Sequence, residues 1–276
     1  MLSVAIGSRD PQSPVCQAVI HHLNTPGLRV RSQIALHAAA CVGVDIQSAL
    51  AIGACCELLH NASLIHDDLQ DRDHLRRGMQ AVWSKFGDDV ALCAGDLLLS
   101  AAYAALAEVT DVAAIPRLIA QTHAAVAQTI QGQSSPAMPP HAESDRIAAY
   151  QAMAAAKSGP LLSLPFGLVF SFCNRPDLVA TSARAVSAFS IAYQITDDLA
   201  DIETDARTAS GAAANIVIVL ETSSARDRAA AKITADQMAR ARLADALAIA
   251  ADLPDGTAAI LSDLAQRITD KLDGYQ

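Results

Sequence analysis

The sequence predicts an all-α protein folded as a single helical bundle. Its 276 residues are 52% hydrophobic but only 4% aromatic, and alanine and leucine, which both favour helices, dominate. A chain of this length lies near the upper size of one hydrophobic core, so we expect one domain over residues 1–276. No stretch alternates polar and apolar residues long enough to require a β-sheet, and no repeat of fixed period is visible.

Turn residues and apolar periodicity divide the chain into successive predicted helices. Residues 1–27 are rich in proline, so we expect a short leader that contains one helix. Asp45 is the expected N-cap of the second long helix, and residues 67–87 form the first long polar interruption. The turn-rich residues 131–140 are expected to form a loop. The predicted helices after the leader cover residues 32–42, 46–66, 88–108, 113–131, 144–156, 159–173, 177–201, 212–247 and 257–272, and the stretch 212–247 allows for a break.

The balance of charges limits the possible ligands. With 20 basic and 29 acidic residues, the formal net charge of −9 argues against general binding of nucleic acid or anionic membranes. An anionic ligand must therefore be held by divalent cations or by a few focused basic residues. The six cysteines form no Cys-x-x-Cys pair, which argues against zinc or thioredoxin chemistry. The N-terminus lacks a signal pattern, and Pro165 interrupts the longest apolar run, so we expect a cytoplasmic protein without stable membrane insertion.

Two acidic triplets with the same spacing each end an otherwise apolar predicted helix. The spacing is i, i+1 and i+4, which puts the first and last carboxylates of a triplet one above the other on a helix. A solvated polar face explains one such cluster. Two matched clusters favour magnesium, because Mg²⁺ prefers hard oxygen ligands and leaves positions for substrate phosphates. The triplets are Asp67, Asp68 and Asp71, and Asp197, Asp198 and Asp201.

Basic residues follow the first triplet closely. Arg76 and Arg77 precede Gly78, and Lys157 stands beside Ser158 further along the chain. An isolated Arg-Arg-Gly sequence is usually a solvated turn. Five residues beyond an acidic triplet, it is better explained as the cationic counterpart of a metal-bound diphosphate, because guanidinium groups bind phosphate oxygens in a bidentate manner.

From about residue 27 to residue 220, the sequence resembles the trans-isoprenyl diphosphate synthase family, whose members elongate prenyl chains head to tail. Residues 60–71, with the Arg-Arg-Gly that follows, look like the first aspartate-rich motif of that family, and residues 193–201 look like the second. The resemblance implies an isoprenoid synthase bundle with a central active-site cavity, a homodimer, and Mg²⁺ as cofactor, with three ions when substrate is bound.

The resemblance also implies roles for individual residues. Asp67, Asp71 and Asp197 would coordinate the magnesium ions that bridge the allylic diphosphate. The other three aspartates of the two triplets would support that cluster. The residues expected to face the substrates are Arg76, Lys157, Ser158 and Gln194 for the allylic diphosphate, and Arg31, His60 and Arg77 for the diphosphate of isopentenyl diphosphate.

Two departures from the family pattern concern basic residues. Leu28 stands where the family has a lysine that contacts isopentenyl diphosphate. Residues 202–221, where family members usually have glycine–lysine pairs, contain no lysine, and Arg207 is their only basic residue. Both departures leave the expected diphosphate sites with less positive charge.

The predicted function is a prenyltransferase that condenses an allylic diphosphate with isopentenyl diphosphate by magnesium-assisted ionisation. Ala62 and Ser63 lie five and four residues before Asp67, where the resemblance places the floor of the product tunnel, and their small size predicts a geranylgeranyl or longer product. The alternative is a single-substrate terpene cyclase or diphosphate lyase on the same fold, which the two departures favour. A third reading is a non-catalytic subunit of a heteromeric synthase, against which both intact triplets argue.

Overall fold

The computed structural model describes residues 7, 10–133, 143–207, 209–224, 227–254 and 256–275, and these are almost entirely helical. One short hairpin, β1 (Leu75–Arg76) and β2 (Met79–Gln80), is the sheet structure within them. The helices are α1 (Pro14–Leu23), α2 (Val30–Cys41), α3 (Ile46–Asp71), α4 (Val82–Phe86), α5 (Asp88–Ala105), α6 (Ile115–Gln133), α7 (Glu143–Phe172), α8 (Pro176–Asp205), α9 (Ala209–Ala214), α10 (Ile216–Ser224), α11 (Arg228–Ala250) and α12 (Ala259–Asp273).

The chain divides into two compact units, each with its own core. Unit 1 comprises Met1–His123 and Leu164–Arg175, and unit 2 comprises Ala124–Ser163 and Pro176–Gln276. Each unit contains one of the two acidic triplets. The single domain expected from chain length stays a prediction.

The core of unit 1 is built around α3, which packs against α2 and α5. Asp45 is the N-cap of α3, as predicted, and its side chain accepts a hydrogen bond of 2.9 Å from the backbone N–H of Ser48. Such a cap contributes about 1 kcal/mol to helix stability. Buried residues recur every three or four positions along α5. They are Ala91, Ala94, Gly95, Leu98, Ala101, Ala102 and Ala105. These small side chains allow the helices of unit 1 to approach closely.

The core of unit 2 is formed by α8 and α11, with α10 and α12 packed on them. Alanines recur at helical spacing along the buried side of α11. Because these side chains are small, the backbone of α11 lies close to α8. The buried residues of α11 are Ala231, Ala235, Ala239, Leu243, Ala246 and Ala250. This packing fixes the position of α8, which carries the second triplet.

Three predicted boundaries are wrong. The break expected between residues 156 and 159 does not occur, because Gly159 provides close packing: a Cβ there would lie 3.3 Å from Oγ of Ser190 on α8. The helix predicted to end at residue 66 continues to Asp71, and a hairpin follows it. The loop predicted from residue 131 begins no earlier than residue 134, because α6 extends to Gln133, and residues 134–140 lie outside the described residues.

By length and composition alone, three helical segments could cross a membrane. They are Ile46–Asp71, Asp88–Glu108 and Glu143–Phe172, and their most apolar windows are 67%, 44% and 61% buried in the protein. The expected absence of membrane insertion therefore stays a prediction.

Candidate active site

The first acidic triplet forms the last turn of α3. The helix stops at Arg72, whose backbone has a left-handed φ of 59°. Asp68 faces the core of unit 1 and is only 1% exposed, whereas Asp67 is partly exposed and Asp71 is exposed. Because Asp67 and Asp71 are one turn apart, their carboxylates lie on the same side of the helix.

Asp68 is held by Arg76, which returns from the hairpin that follows α3. Nε of Arg76 donates a hydrogen bond of 2.8 Å to Oδ1 of Asp68, and Nη2 donates to the same oxygen. Burial raises the pKa of Asp68, and the hydrogen bonds from Arg76 oppose that shift. Nη2 of Arg76 also lies 3.7 Å from Oδ2 of Asp67. The central carboxylate of the triplet is therefore an internal anchor, while the outer two are more exposed to solvent.

The hairpin explains why two adjacent arginines have different positions. Leu75 pairs with Gln80 and Arg76 with Met79, so Arg77 and Gly78 form a two-residue turn. Both turn residues have positive φ, 53° and 81°, which is typical of a type I′ turn. An arginine in this region stores backbone strain. Arg76 consequently points back to the acidic triplet, while Arg77 extends from the tip.

Arg77 belongs to a second cluster that joins the residues predicted to bind isopentenyl diphosphate. Nη1 of Arg77 donates a hydrogen bond of 2.9 Å to the carbonyl oxygen of Pro26. A Cβ at Gly27 would overlap Nη1 of Arg77, so the glycine makes room for the guanidinium. His60 is close enough to Arg31 and Arg77 for their charges to interact. Burial, followed by these two arginines, lowers the pKa of His60 well below its usual range.

The residue that replaces the expected lysine lies beside this cluster in the sequence. Leu28 immediately follows Gly27, and its side chain is 63% exposed. An exposed leucine at this position makes no core contribution that would explain its presence. The predicted anion site therefore has one cation fewer than the family pattern. Leu28 adds no buried apolar contact in exchange.

His66, which precedes Asp67, contacts α5. Its Nε2 lies 3.7 Å from Oδ1 of Asp96 and 3.4 Å from the carbonyl oxygen of Leu92, both on α5. A Cβ at Gly95 would overlap the imidazole of His66, so the glycine leaves space for it. The contact between α3 and α5 thus explains both His66 and Gly95 in structural terms.

Ala62 and Ser63 lie one turn before Asp67 on α3. Ala62 is 2% exposed, and Ser63 is half-buried with its hydroxyl donating to the carbonyl oxygen of His60 at 2.8 Å. Ser63 shares the face of Asp67, because the two are four residues apart. Their assignment to a product tunnel stays a prediction.

The second acidic triplet, in unit 2, has a different anchor. Asp198 is 3% exposed and accepts hydrogen bonds from three neutral donors: the hydroxyl of Tyr150 at 2.8 Å, Nε2 of Gln194 at 2.9 Å and the backbone N–H of Ile216 at 2.8 Å. Burial raises the pKa of Asp198 to about 6, although these donors oppose the shift. The same burial, with Asp198 nearby, raises the pKa of Tyr150 well above its usual range.

Asn215 forms hydrogen bonds that hold the segment after the second triplet. Its Nδ2 donates to the carbonyl oxygen of Asp198 and to Oδ2 of Asp205, both at 2.8 Å, and its Oδ1 accepts from the N–H of Val217 at 3.0 Å. The amide of Asn215 thus ties the segment that lacks the family's lysines to the end of α8. Tyr150 and Asn215 were not predicted, because neither lies in a charged pattern.

The remaining predicted residues of unit 2 differ in exposure. Asp197 is half-buried, and burial raises its pKa, while Tyr193 and Lys271 oppose the shift. Asp201 and Lys157 are exposed. Lys271, on α12, was also missed, because it lies more than 70 residues beyond the triplet. The role of Gln194 toward a substrate stays a prediction, since its amide already donates to Asp198.

The outer carboxylates suit Mg²⁺ that is bound jointly with a substrate phosphate. They suit less well a metal ion whose ligands all come from the protein. Among the described residues, no three His, Cys, Asp or Glu side chains are grouped so that they could hold a metal ion. Mg²⁺ often uses only one or two protein carboxylates and takes its other ligands from water and substrate phosphates. Asp67 and Asp71 in unit 1 and Asp197 in unit 2 each offer such hard oxygens, and each is at least partly exposed. The donor chemistry therefore fits Mg²⁺ that is bound together with a phosphate ligand.

Comparison with known proteins decides the family. The profile of the Polyprenyl synthetase family matches residues 13–215, a region that includes both triplets and the hairpin arginines. The chain belongs to the polyprenyl synthetase family. Enzymes of this family generally use Mg²⁺. This polyprenyl synthetase homologue also has the all-α fold predicted from its sequence.

Relatives agree with that assignment. The chain is 30% identical over 197 residues to the short chain isoprenyl diphosphate synthase of Methanocaldococcus jannaschii, covering 70% of this chain and 59% of that protein. It is 32% identical over 177 residues to a geranylgeranyl diphosphate synthase of Mycobacterium tuberculosis, covering 64% and 51%. The match thus spans between half and three fifths of these relatives. The solved geranylgeranyl pyrophosphate synthetase of Geoglobus acetivorans shares the fold, with a TM-score of 0.80 at 22% identity over 97% of this chain and 95% of that one.

Proposed function

We propose that the protein is a trans-prenyltransferase that condenses an allylic diphosphate with isopentenyl diphosphate to give a longer trans-prenyl diphosphate. The observation that carries the proposal is that unit 1 contains two separate groups of basic side chains, one beside the acidic triplet and one around His60. The outer carboxylates with Arg76 suit a metal-bound diphosphate, whereas Arg31, His60 and Arg77 suit a diphosphate bound without metal. A one-substrate cyclase or lyase has little use for the second set.

The chain's own residues act by binding and positioning. Arg76 and Lys157 are proposed to hold the oxygens of the departing diphosphate, and Arg31, His60 and Arg77 those of the second substrate. Mg²⁺ held by the outer carboxylates would supply positive charge that stabilises the departing diphosphate. The allylic carbon–oxygen bond breaks, its electron pair leaves with the diphosphate, the double bond of isopentenyl diphosphate attacks the allylic carbon, and a proton is lost to solvent or diphosphate. No protein nucleophile is required, because electrostatic stabilisation of the leaving group is the main contribution.

The metal ligands are part of the proposal. We assign Asp67, Asp71 and Asp197 as ligands of three Mg²⁺ ions bound with the allylic diphosphate, supported by the other aspartates of the triplets. The charge balance supports this assignment, because carboxylates would otherwise repel a diphosphate. Titration with Mg²⁺ in the presence of a non-ionisable allylic diphosphate analogue should show ions that do not bind in its absence. Binding of the analogue that is unchanged by chelation would contradict the assignment.

Product analysis tests the reaction. The purified protein is incubated with Mg²⁺, isopentenyl diphosphate and each allylic diphosphate in turn, and the products are identified by chromatography and mass spectrometry. We expect incorporation of isopentenyl diphosphate, and a KM for that substrate about tenfold higher in Arg77→Gln than in the control Arg242→Gln, which alters an arginine paired with Asp245 in unit 2. Cyclised or hydrolysed allylic product without incorporation would overturn the proposal.

Product length forms a separate test. The small Ala62 and Ser63 support a geranylgeranyl or longer product, because a chain anchored at Asp67 would pass this turn, about 6–7.5 Å along the helix axis. Ala62→Phe should shift the products to shorter chains. Ala54→Phe, on the same helix but facing the groove between α2 and α3, is the control. An unshifted distribution at retained activity would show that this turn is not the floor of the tunnel.

We propose the homodimer and the cytoplasmic location from family membership. Light scattering of the purified protein should give twice the mass of the 28.8 kDa chain. Cell fractionation should recover the protein without detergent. A monomer at working concentration, or recovery only with detergent, would contradict the respective assignment.

A further inference from the structure

His22 is a buried imidazole that the proposed reaction does not use. It lies in the last turn of α1 and is 5% exposed. Within the described part of the chain, its Nε2 atom is buried and has no hydrogen-bond partner. A buried polar nitrogen without a partner destabilises the folded state, so such an atom requires an explanation.

The surroundings of His22 are cationic. The neighbouring elements present His21 from α1, His60 from α3, and Arg76 and Arg77 from the hairpin, all near enough for their charges to interact with it. Arg76 is paired with the carboxylate of Asp68, whereas the hydrogen bond of Arg77 goes to the backbone carbonyl of Pro26, which carries no charge. A proton on His22 would therefore add charge to a cluster that already has an excess of it.

The other contacts of the imidazole favour a proton. The side chain of Asn61 lies near the imidazole and favours its protonated form, and Asn61 itself is fixed by donating from Nδ2 to the carbonyl oxygen of Glu57 at 2.7 Å. Burial, together with Arg76, Arg77 and His21, outweighs that contact and lowers the pKa of His22 to about 4. An anion beside Arg77 would cancel the repulsion and offer an acceptor to Nε2. The neutral imidazole is thus poised to change its charge when such an anion binds.

We propose that His22 is a further residue of the anion site formed by Arg31, His60 and Arg77, and that it gains a proton from solvent when a diphosphate group binds there. The protonated Nε2 then donates a hydrogen bond to a diphosphate oxygen. This inference rests on the proposed function for the identity of the natural ligand, isopentenyl diphosphate. The proton gain itself requires only that the cluster binds a diphosphate.

Calorimetry with inorganic diphosphate tests the proton gain without turnover. Binding is measured near neutral pH with excess chelator, so that the acidic triplets repel the ligand, in two buffers of different ionisation enthalpy. The difference in heat gives the number of protons taken up, and the ligand's own protonation change is common to all variants. We expect His22→Gln to take up about one proton fewer than the unaltered chain and to bind diphosphate about tenfold more weakly. His123→Gln, an exposed histidine of α6, should change neither value.

A second variant keeps the test decisive if His22→Gln does not fold. Asn61→Asp places a carboxylate beside the imidazole, so His22 should carry its proton before diphosphate binds and the uptake should again fall. Full uptake in either variant, loss of uptake only in His60→Gln, or no binding of diphosphate by the unaltered chain would overturn the inference. Product analysis with isopentenyl diphosphate is a separate measurement. Its failure would contradict the proposed function and leave the calorimetric result to decide the role of His22.

Discussion

The two acidic triplets share their spacing but differ in what holds their central carboxylate. In unit 1, Asp68 is bonded to the guanidinium of Arg76, eight residues further along the chain. In unit 2, Asp198 is bonded to neutral groups that include Tyr150, 48 residues earlier, and the backbone of Ile216, 18 residues later. Both central carboxylates are buried, and the outer carboxylates are more accessible in both units.

This difference shows that equal spacing does not imply equal electrostatics. A cation compensates for the burial of Asp68, so that the pair can stay charged inside unit 1. Asp198 accepts hydrogen bonds from neutral donors and has the carboxylate of Asp205 nearby, and its pKa is raised to about 6, mainly by burial. The first triplet is thus anchored by charge and the second by a network of neutral hydrogen bonds. The following predictions test that contrast.

The largest effect should come from the outer carboxylates, which we propose as metal ligands. Asp67→Ala or Asp197→Ala should lower kcat by about 10³-fold or more, which corresponds to about 4 kcal/mol, because each removes charge that holds the leaving diphosphate. Helicity should be retained. The control Asp252→Ala removes an exposed aspartate beyond α11. Activity that survives thorough chelation, or equal losses in the control, would contradict the assignment.

Removal of a central carboxylate should instead lower stability. Asp68→Ala leaves Arg76 without its main partner, and we expect a loss of about 3 kcal/mol in the free energy of unfolding, since Arg76 is mostly buried. The double variant with Arg76→Ala should recover part of that loss. Asp198→Ala should lower the free energy of unfolding by a similar amount, because it leaves several buried donors without an acceptor.

The double-variant comparison separates the two anchors. Tyr150→Phe added to Asp198→Ala should recover little, because the N–H of Ile216 and the amide of Gln194 still lack an acceptor. Urea denaturation of the four single and two double variants measures the coupling energies. Equal recovery in both units would show that the anchors are alike.

The pH dependence of stability should distinguish Asp198. Its folded pKa of about 6 is above the ordinary value of 3.8, so the folded state binds more protons and the free energy of unfolding falls as pH rises from about 4 to 6. Asp198→Asn lacks this dependence. As pH rises from about 4 to 6, the free energy of unfolding of the variant should therefore increase by about 2–3 kcal/mol relative to that of the unaltered chain. Urea titrations with a chelator present measure the change, and parallel curves would show that the folded pKa is ordinary.

The sequence predicted the parts of the site that depend on local pattern. The helical periodicity, the Asp45 cap and the clustering of Arg31, His60 and Arg77 within unit 1 could all be anticipated from spacing or from the family motif. The hairpin could not, because two-residue strands carry no alternation, although Arg77-Gly78 is a turn signal. Tyr150 and Asn215 contact Asp198 from distant positions, and uncharged residues outside the acidic motifs give no local signal. His22 lies outside both motifs, and its burial beside the arginines is visible only in the structure.

The smallest effect concerns Leu28, where unit 1 lacks a cation that the family motif contains. Because Leu28 is 63% exposed, Leu28→Lys removes no core contact and places an ammonium group next to Gly27, over which Arg77 lies. If the second diphosphate binds at Arg31, His60 and Arg77, the KM for isopentenyl diphosphate should fall about tenfold. This corresponds to about 1.4 kcal/mol of binding free energy. The KM for the allylic substrate should change less. Steady-state kinetics for both substrates measure this selectivity. Val112→Lys, at a similarly exposed position between α5 and α6, controls for the added net charge. An equal fall for both substrates would mean that the lysine acts through long-range attraction, and no fall would place the second diphosphate away from Gly27.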